Sequence, residues 1–212
     1  MLPLATGRQT AGMNRTLFDT PVITPILRMI ANLCIRAVGW KKMGTLPDEP
    51  KCVVIAAPHT SNWDFPLMLC CVFAFRAKGA WMGKDSLFVG PLGPIMKWLG
   101  GIPIDRTKRG HAVEQAIAFL NESDRLIMIV SPEGTRSRVC KWKSGFYHIA
   151  LGAKVPIVMG FGDYYRKVLG FGPAFMPTGN LQDDMKAIVE FYQHITPRHP
   201  DQFCLPDQPE PS

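Results

Sequence analysis

The stretch Cys52-Val53-Val54-Ile55-Ala56-Ala57-Pro58-His59-Thr60-Ser61-Asn62-Trp63-Asp64 decides how this chain folds. It opens with an apolar run of strand length, rich in β-branched residues. The residues that follow, Phe65 to Phe75, are almost wholly apolar and too many for an ordinary strand, so they read as a buried helix. Pro66 suits its first turn, and Gly79 suits a C-terminal cap. His59 then leaves the carboxyl end of a strand and Asp64 begins the next helix. In open α/β sheets, ligands bind at such junctions.

A His and an Asp five residues apart do not share a face of a regular helix. Across a strand-loop-helix junction the chain folds back and lets them meet. Asp64 then hydrogen-bonds one ring nitrogen of His59 and fixes its tautomer. The other nitrogen is left to accept a proton, as imidazoles do near neutral pH. The plainer reading of Asp64 is a helix N-cap, and one carboxylate has oxygens enough for both tasks.

The composition bounds the rest. At 212 residues with 47% hydrophobic and 19% charged, the chain is long enough for one domain, 1–212, with a sizeable core. No uninterrupted apolar run reaches membrane-spanning length, and Arg8 and Arg15 break up the apolar region that a signal peptide needs. A net charge of +7 favours phosphate-bearing partners, either nucleic acid or an anionic membrane surface. The six cysteines, Cys34, Cys52, Cys70, Cys71, Cys140 and Cys204, form no C-x-x-C pair. They read as reduced core residues of a cytosolic protein, and no cluster has zinc spacing, so no metal is expected.

Outward towards the N-terminus, residues 1 to about 20 are polar without a period and are expected to be mobile. Residues 21–38 read as a helix with Arg28, Asn32 and Arg36 on one narrow stripe. With Trp40-Lys41-Lys42 behind it, 21–42 suits an amphipathic helix in a membrane interface; the alternative is a buried helix with one wet edge. Residues 80–101 are apolar yet rich in Gly and Pro, with room for a helix only over Pro94 to Leu99. They suit an acyl-chain pocket, a lipid contact or ordinary core.

Towards the C-terminus, Gly101 to Arg106 reads as a short strand ending in charge. An amphipathic helix follows, with Val113, Ala116, Ile117 and Leu120 on one face. Arg125 to Val130 is a buried strand that runs into Ser131-Pro132-Glu133-Gly134-Thr135-Arg136-Ser137. There Gly134 permits a tight backbone, Arg136 offers a planar fork for phosphate, and Glu133 orients that arginine or accepts a substrate hydroxyl. A surface turn with an internal Glu133–Arg136 pair is the plainer alternative. A helix over Ser144 to Ala153 and a strand over Val155 to Met159 come next. Residues 163–169 pair back through a Gly160/Gly162 turn, and a helix over Leu181 to Ile195 closes the fold ahead of a loose Pro-rich tail from Thr196. Strand and helix alternate, which predicts an α/β fold with a mostly parallel central sheet flanked by helices.

Four blocks now stand in order: His59-x-x-x-x-Asp64, Gly101-Ile102-Pro103-Ile104-Asp105-Arg106, Pro132-Glu133-Gly134-Thr135-Arg136 and Val155-Pro156-Ile157-Val158. Together, over about 52–160, they resemble the motif blocks of the glycerophospholipid acyltransferase family, which includes the lysophosphatidate (1-acylglycerol-3-phosphate) acyltransferases. The resemblance implies acyl transfer from a thioester, acyl-CoA or acyl-carrier protein, to a lysolipid hydroxyl, with no cofactor or metal. It implies His59 as general base, Asp64 as its orienter, and acceptor binding by Arg106, Glu133, Gly134, Thr135 and Arg136. The charge, the 21–42 helix and the cysteines together lead us to expect a cytoplasmic protein held peripherally at an anionic membrane surface. Ser131 departs from the aromatic or apolar residue usual before Pro-Glu-Gly, and Met159-Gly160 from a common second proline.

Two rivals remain at this point. A hydrolase would use the same base on water. A basic module for nucleic acid or membranes would use the charge and Trp142, which lies between Lys141 and Lys143. No G-x-S-x-G elbow, P-loop or RNA-recognition signature is present, and nucleic acid is not expected as a partner.

Overall fold

In a computed structural model, which describes residues 16–104 and 110–206, the Cys52 run forms a central strand flanked on both sides. The elements in chain order are α1 (Ile23–Ala37), β1 (Lys41–Met43), β2 (Lys51–Ala56), α2 (Asp64–Ala74), β3 (Gly79–Lys84), α3 (Gly93–Trp98) and β4 (Gly101–Ile104). They continue with α4 (His111–Glu122), β5 (Leu126–Val130), α5 (Gly145–Ala153), β6 (Ile157–Asp163), β7 (Val168–Phe175) and α6 (Leu181–Tyr192). The seven strands make one sheet in the order β1-β7-β6-β2-β5-β3-β4. All neighbours are parallel except β6 and β7. The mostly parallel α/β fold read from the sequence is the fold observed.

Alternation along β2 divides the core. Val53 and Ile55 face Phe146, Ile149, Ile188 and Tyr192 of α5 and α6, while Cys52 and Val54 face Cys71 and Val72 of α2 and Ile35 of α1. A strand buried on both faces reads as a continuous apolar run, which is why this one was legible. Each fully buried aliphatic side chain contributes roughly 1.5–3 kcal/mol relative to exposure. The helices that leave β2 and β5 therefore lie on opposite faces. One connection crosses over β5 to reach β3, and the other crosses over β2 to reach β6. Adjacent parallel strands whose crossovers diverge leave a crevice beyond their carboxyl ends.

The structure also corrects several expectations. Arg76, at φ 57°, takes the left-handed position after α2, and Gly79 instead begins β3. A Cβ on Gly79 would stand 3.0 Å from Val72 Cγ1, so the glycine admits the helix against the sheet. Strand β3 was hidden in the Gly-rich 80–101 stretch. The hairpin turns at 164–167, not at Gly160/Gly162, which lie within β6. There a Cβ at Gly160 would come within 2.7 Å of Val54 Cγ1, so these glycines serve close strand packing.

Residues 16–20 are not loose. Leu17 is buried, and Phe18 stacks on Phe73 with ring centroids 5.0 Å apart. In α1, Arg28 and Asn32 are half-buried against the protein, while Met29, at 67% exposure, and Leu33, at 65%, point outwards. Nor is the tail loose as far as Pro206. His199 N–H donates to Thr60 Oγ1 at 3.3 Å, and Trp142 Nε1 donates to Cys204 O at 3.2 Å. Cys140 and Cys204 are joined in a disulfide, contrary to the expectation of six thiols, because the tail brings their Cα atoms to 4.8 Å. Trp142 is buried against Tyr192, so it offers no stacking face to a nucleic acid.

Candidate active site

The crevice is occupied by two loops. The one after β2 carries His59 and ends at Asp64, the first residue of α2. His59 Nδ1 lies 3.4 Å from Asp64 Oδ2, so the two meet across the junction as the sequence suggested. Asp64 does not cap the helix, whose N-cap position falls to Trp63; its Oδ2 instead accepts the loop N–H groups of Thr60 at 2.8 Å and Ser61 at 2.7 Å, ahead of α2. Its other oxygen, Oδ1, accepts the Tyr164 hydroxyl at 2.7 Å. Burial on its own would raise this carboxyl. The close approach of His59 and the hydrogen bonds from Tyr164 and the Ser61 N–H outweigh it and hold Asp64 below the ordinary carboxylate range.

The loop after β5 carries Glu133 to Arg136. Glu133 is 6% exposed and turns away from Arg136: its Oε2 accepts the His59 backbone N–H at 2.9 Å. Its Oε1 is buried without a partner among the described residues. Burial is the main cause that pushes the Glu133 carboxyl up to about 7; the His59 N–H opposes it and the nearby Asp64 charge adds to it. Gly134, at φ 66°, sits in the left-handed region, and a Cβ there would meet Lys143 Nζ at 2.9 Å. Thr135 and Arg136 are exposed at the rim. Arg106 lies outside the described residues, so its place relative to these loops is not defined.

Both loops open on a cleft of about 920 Å³. His59, Thr135 and Arg136 line its polar end. Phe65, Met68, Trp81 and Phe171 line a long apolar part between α2 and the sheet. Apolar pockets with a few convergent polar groups are the usual form of ligand sites. A smaller polar cleft of about 410 Å³ lies behind the first loop, between Thr60, Trp63, Arg136 and Arg198. Cys71, in the wall of the larger cleft, is pushed up to about 12 by burial and is a neutral thiol at working pH.

Sequence reasoning missed Tyr164, Arg198, His199 and Gln202. Each approaches the His59 loop from a distant segment, and no local spacing announces such a contact. Asp64 and Tyr164 are 100 residues apart.

Residues 39–159 match the family model described as Acyltransferase, which is more than half of the chain; the protein belongs to this acyltransferase family. The chain is 28% identical over 176 residues to 1-acyl-sn-glycerol-3-phosphate acyltransferase alpha of Mus musculus, covering 70% of this chain and 58% of that protein. It is 30% identical over 138 residues to the Homo sapiens protein of the same name, covering 57% of this chain and 44% of the other. It thus spans about half the length of these curated relatives. A crystal structure of the 1-acyl-sn-glycerophosphate (LPA) acyltransferase PlsC from Thermotoga maritima shares the fold, with a TM-score of 0.58 at 23% identity. That likeness covers 80% of this chain and 76% of that one.

Proposed function

We propose that this protein moves a fatty acyl group from a thioester, of coenzyme A or of acyl-carrier protein, to a lysolipid hydroxyl, with 1-acylglycerol-3-phosphate as the acceptor. The observation that carries the proposal is the His59–Asp64 pair at the mouth of the apolar cleft. An alcohol is a poor nucleophile until a base takes its proton. In this reading the free ring nitrogen of His59 takes it as the hydroxyl oxygen bonds to the thioester carbonyl carbon. The carbon–sulfur bond breaks, and the proton passes from His59 to the departing thiolate. Asp64 holds the tautomer and stabilises the imidazolium that forms in between. With Cys71 neutral, direct attack by the acceptor is favoured over a thiol-bound intermediate.

The acyl chain takes the apolar part of the cleft, and the acceptor's phosphate takes the rim at Thr135 and Arg136, with Arg106 a further candidate. Glu133 departs from the role suggested for it in the sequence: it is spent largely on the His59 backbone, which makes it a support for the base. No helix among the described residues is long and apolar enough to cross a membrane. Peripheral attachment to an anionic membrane surface is part of the proposal. Its support is the outward apolar row of α1, the exposed Val89, Leu92 and Ile95 around α3, and the charge of +7. The Cys140–Cys204 disulfide removes the cysteine argument for a cytosolic compartment.

The test uses purified protein, labelled acyl-CoA or acyl-carrier protein, and anionic liposomes carrying lysophosphatidate. Acceptor-dependent formation of the diacyl lipid, by protein that floats with the liposomes, is expected. Thioester loss that ignores the acceptor would make the protein a hydrolase instead.

A further inference from the structure

We propose that Tyr164 is a positioning residue, whose hydroxyl fixes the Asp64 carboxylate and, through it, the ring of His59. The inference rests on the reading of His59 and Asp64 as the base and its orienter. It begins from the partners of Asp64. The two backbone donors on Oδ2, Thr60 N and Ser61 N, belong to the same short loop as His59. They fix Oδ2 to the loop itself, not to the sheet. The Tyr164 hydroxyl, 2.7 Å from Oδ1, comes from the opposite side, just past the end of β6.

Tyr164 is itself held from three directions. Its ring meets Trp40 edge-on with centroids 5.0 Å apart, the Arg198 guanidinium lies 5.9 Å from its centroid, and its N–H donates to Thr196 O at 2.9 Å. Burial and the bond to Asp64 push its hydroxyl well up, so it remains a donor at any working pH. Arg198 and Asp64 are the charged groups that face it. Without the hydroxyl, Oδ1 loses its one partner among the described residues. The carboxylate then keeps only the Oδ2 bonds to the His59 loop and loses its direct tie to the β6 side, so the Asp64–His59 pair sits less firmly against the sheet. The neighbouring Tyr165 is 84% exposed and serves as an internal control.

Tyr164→Phe removes one oxygen and keeps every ring contact. The wild type, Tyr164→Phe, Asp64→Asn, the double variant and Tyr165→Phe are compared for kcat and KM in the liposome assay. A hydrogen bond to a charged partner predicts a kcat loss of about tenfold in Tyr164→Phe, with both KM values unchanged. If Tyr164 acts through Asp64, the double variant is no slower than Asp64→Asn alone, and Tyr165→Phe matches wild type. The proposal is overturned if Tyr164→Phe keeps wild-type kcat, if its loss falls on KM, or if it costs the same factor in both backgrounds. If Asp64→Asn itself turns over like wild type, the dyad reading has failed, and this arm shows it separately.

Discussion

The loops after β2 and β5 face each other across one crevice and are built in opposite ways. In the first, both oxygens of Asp64 are engaged, and four separate groups converge on them. In the second, Glu133 is half satisfied, with Oε1 buried and partnerless among the described residues, while Thr135 and Arg136 stand exposed. The first loop is complete before any substrate arrives. The second gives one group to steady its neighbour and leaves the rest open. Under the proposed function, the difference assigns proton transfer to a preorganised frame and recognition to groups that gain partners on binding. Disturbing the first loop should lower kcat, and disturbing the rim of the second should raise KM.

The largest effect is expected from Asp64→Asn. An amide can meet the Thr60 and Ser61 donors with its oxygen, but it then offers N–H groups elsewhere and no longer stabilises an imidazolium. A kcat loss on the order of a thousandfold follows, with donor KM little changed. A loss below tenfold would reduce Asp64 to a brace for the His59 loop.

Next comes Glu133, where the contrast can be read in stability. Its folded value of about 7 lies above the usual 4.5, so the neutral carboxyl favours the folded state. That contribution is full below pH 4.5 and is lost as pH rises through about 7, a change of roughly 3 kcal/mol. Denaturant titrations of Glu133→Gln should lack this part of the pH dependence and should show a variant more stable than wild type above pH 7. Identical pH dependence in the two proteins would mean that Glu133 is ionised and solvated in the folded state.

The smallest effect belongs to the rim. Arg136→Ala should raise KM for lysophosphatidate about tenfold and leave kcat within a few-fold, because a contact made before and during reaction contributes uniform binding. Arg136→Lys should not restore it, since an ammonium lacks the planar fork. A loss confined to kcat would place Arg136 with the first loop rather than the second.

Much of this was legible in the sequence because it was local. The apolar run before His59 and the apolar helix after Asp64 placed both residues at a strand end, and Arg125 to Val130 did the same for Glu133. What stayed hidden was long-range or short. Strand β1 has three exposed residues, and β3 carries two glycines, so neither shows a strand's apolar alternation. The direction of Glu133 towards His59 N, rather than towards Arg136, depends on how β2 and β5 pair. Tyr164 could not be singled out, because its bond to Asp64 exists only once β6 lies beside β2. The tail looked loose from its prolines, whereas the Cys140–Cys204 link and Trp142 dock it against the second loop.

The central claim is that His59 is the base for acyl transfer to an alcohol. One assay tests it most directly: wild type and His59→Ala, both shown to be folded by thermal melting, with labelled acyl thioester and lysophosphatidate in anionic liposomes, counting diacyl lipid and free fatty acid together. The account predicts that wild type makes diacyl lipid in step with thioester loss, and that His59→Ala makes neither product above background. Diacyl lipid formed by His59→Ala at a rate near that of wild type would contradict it.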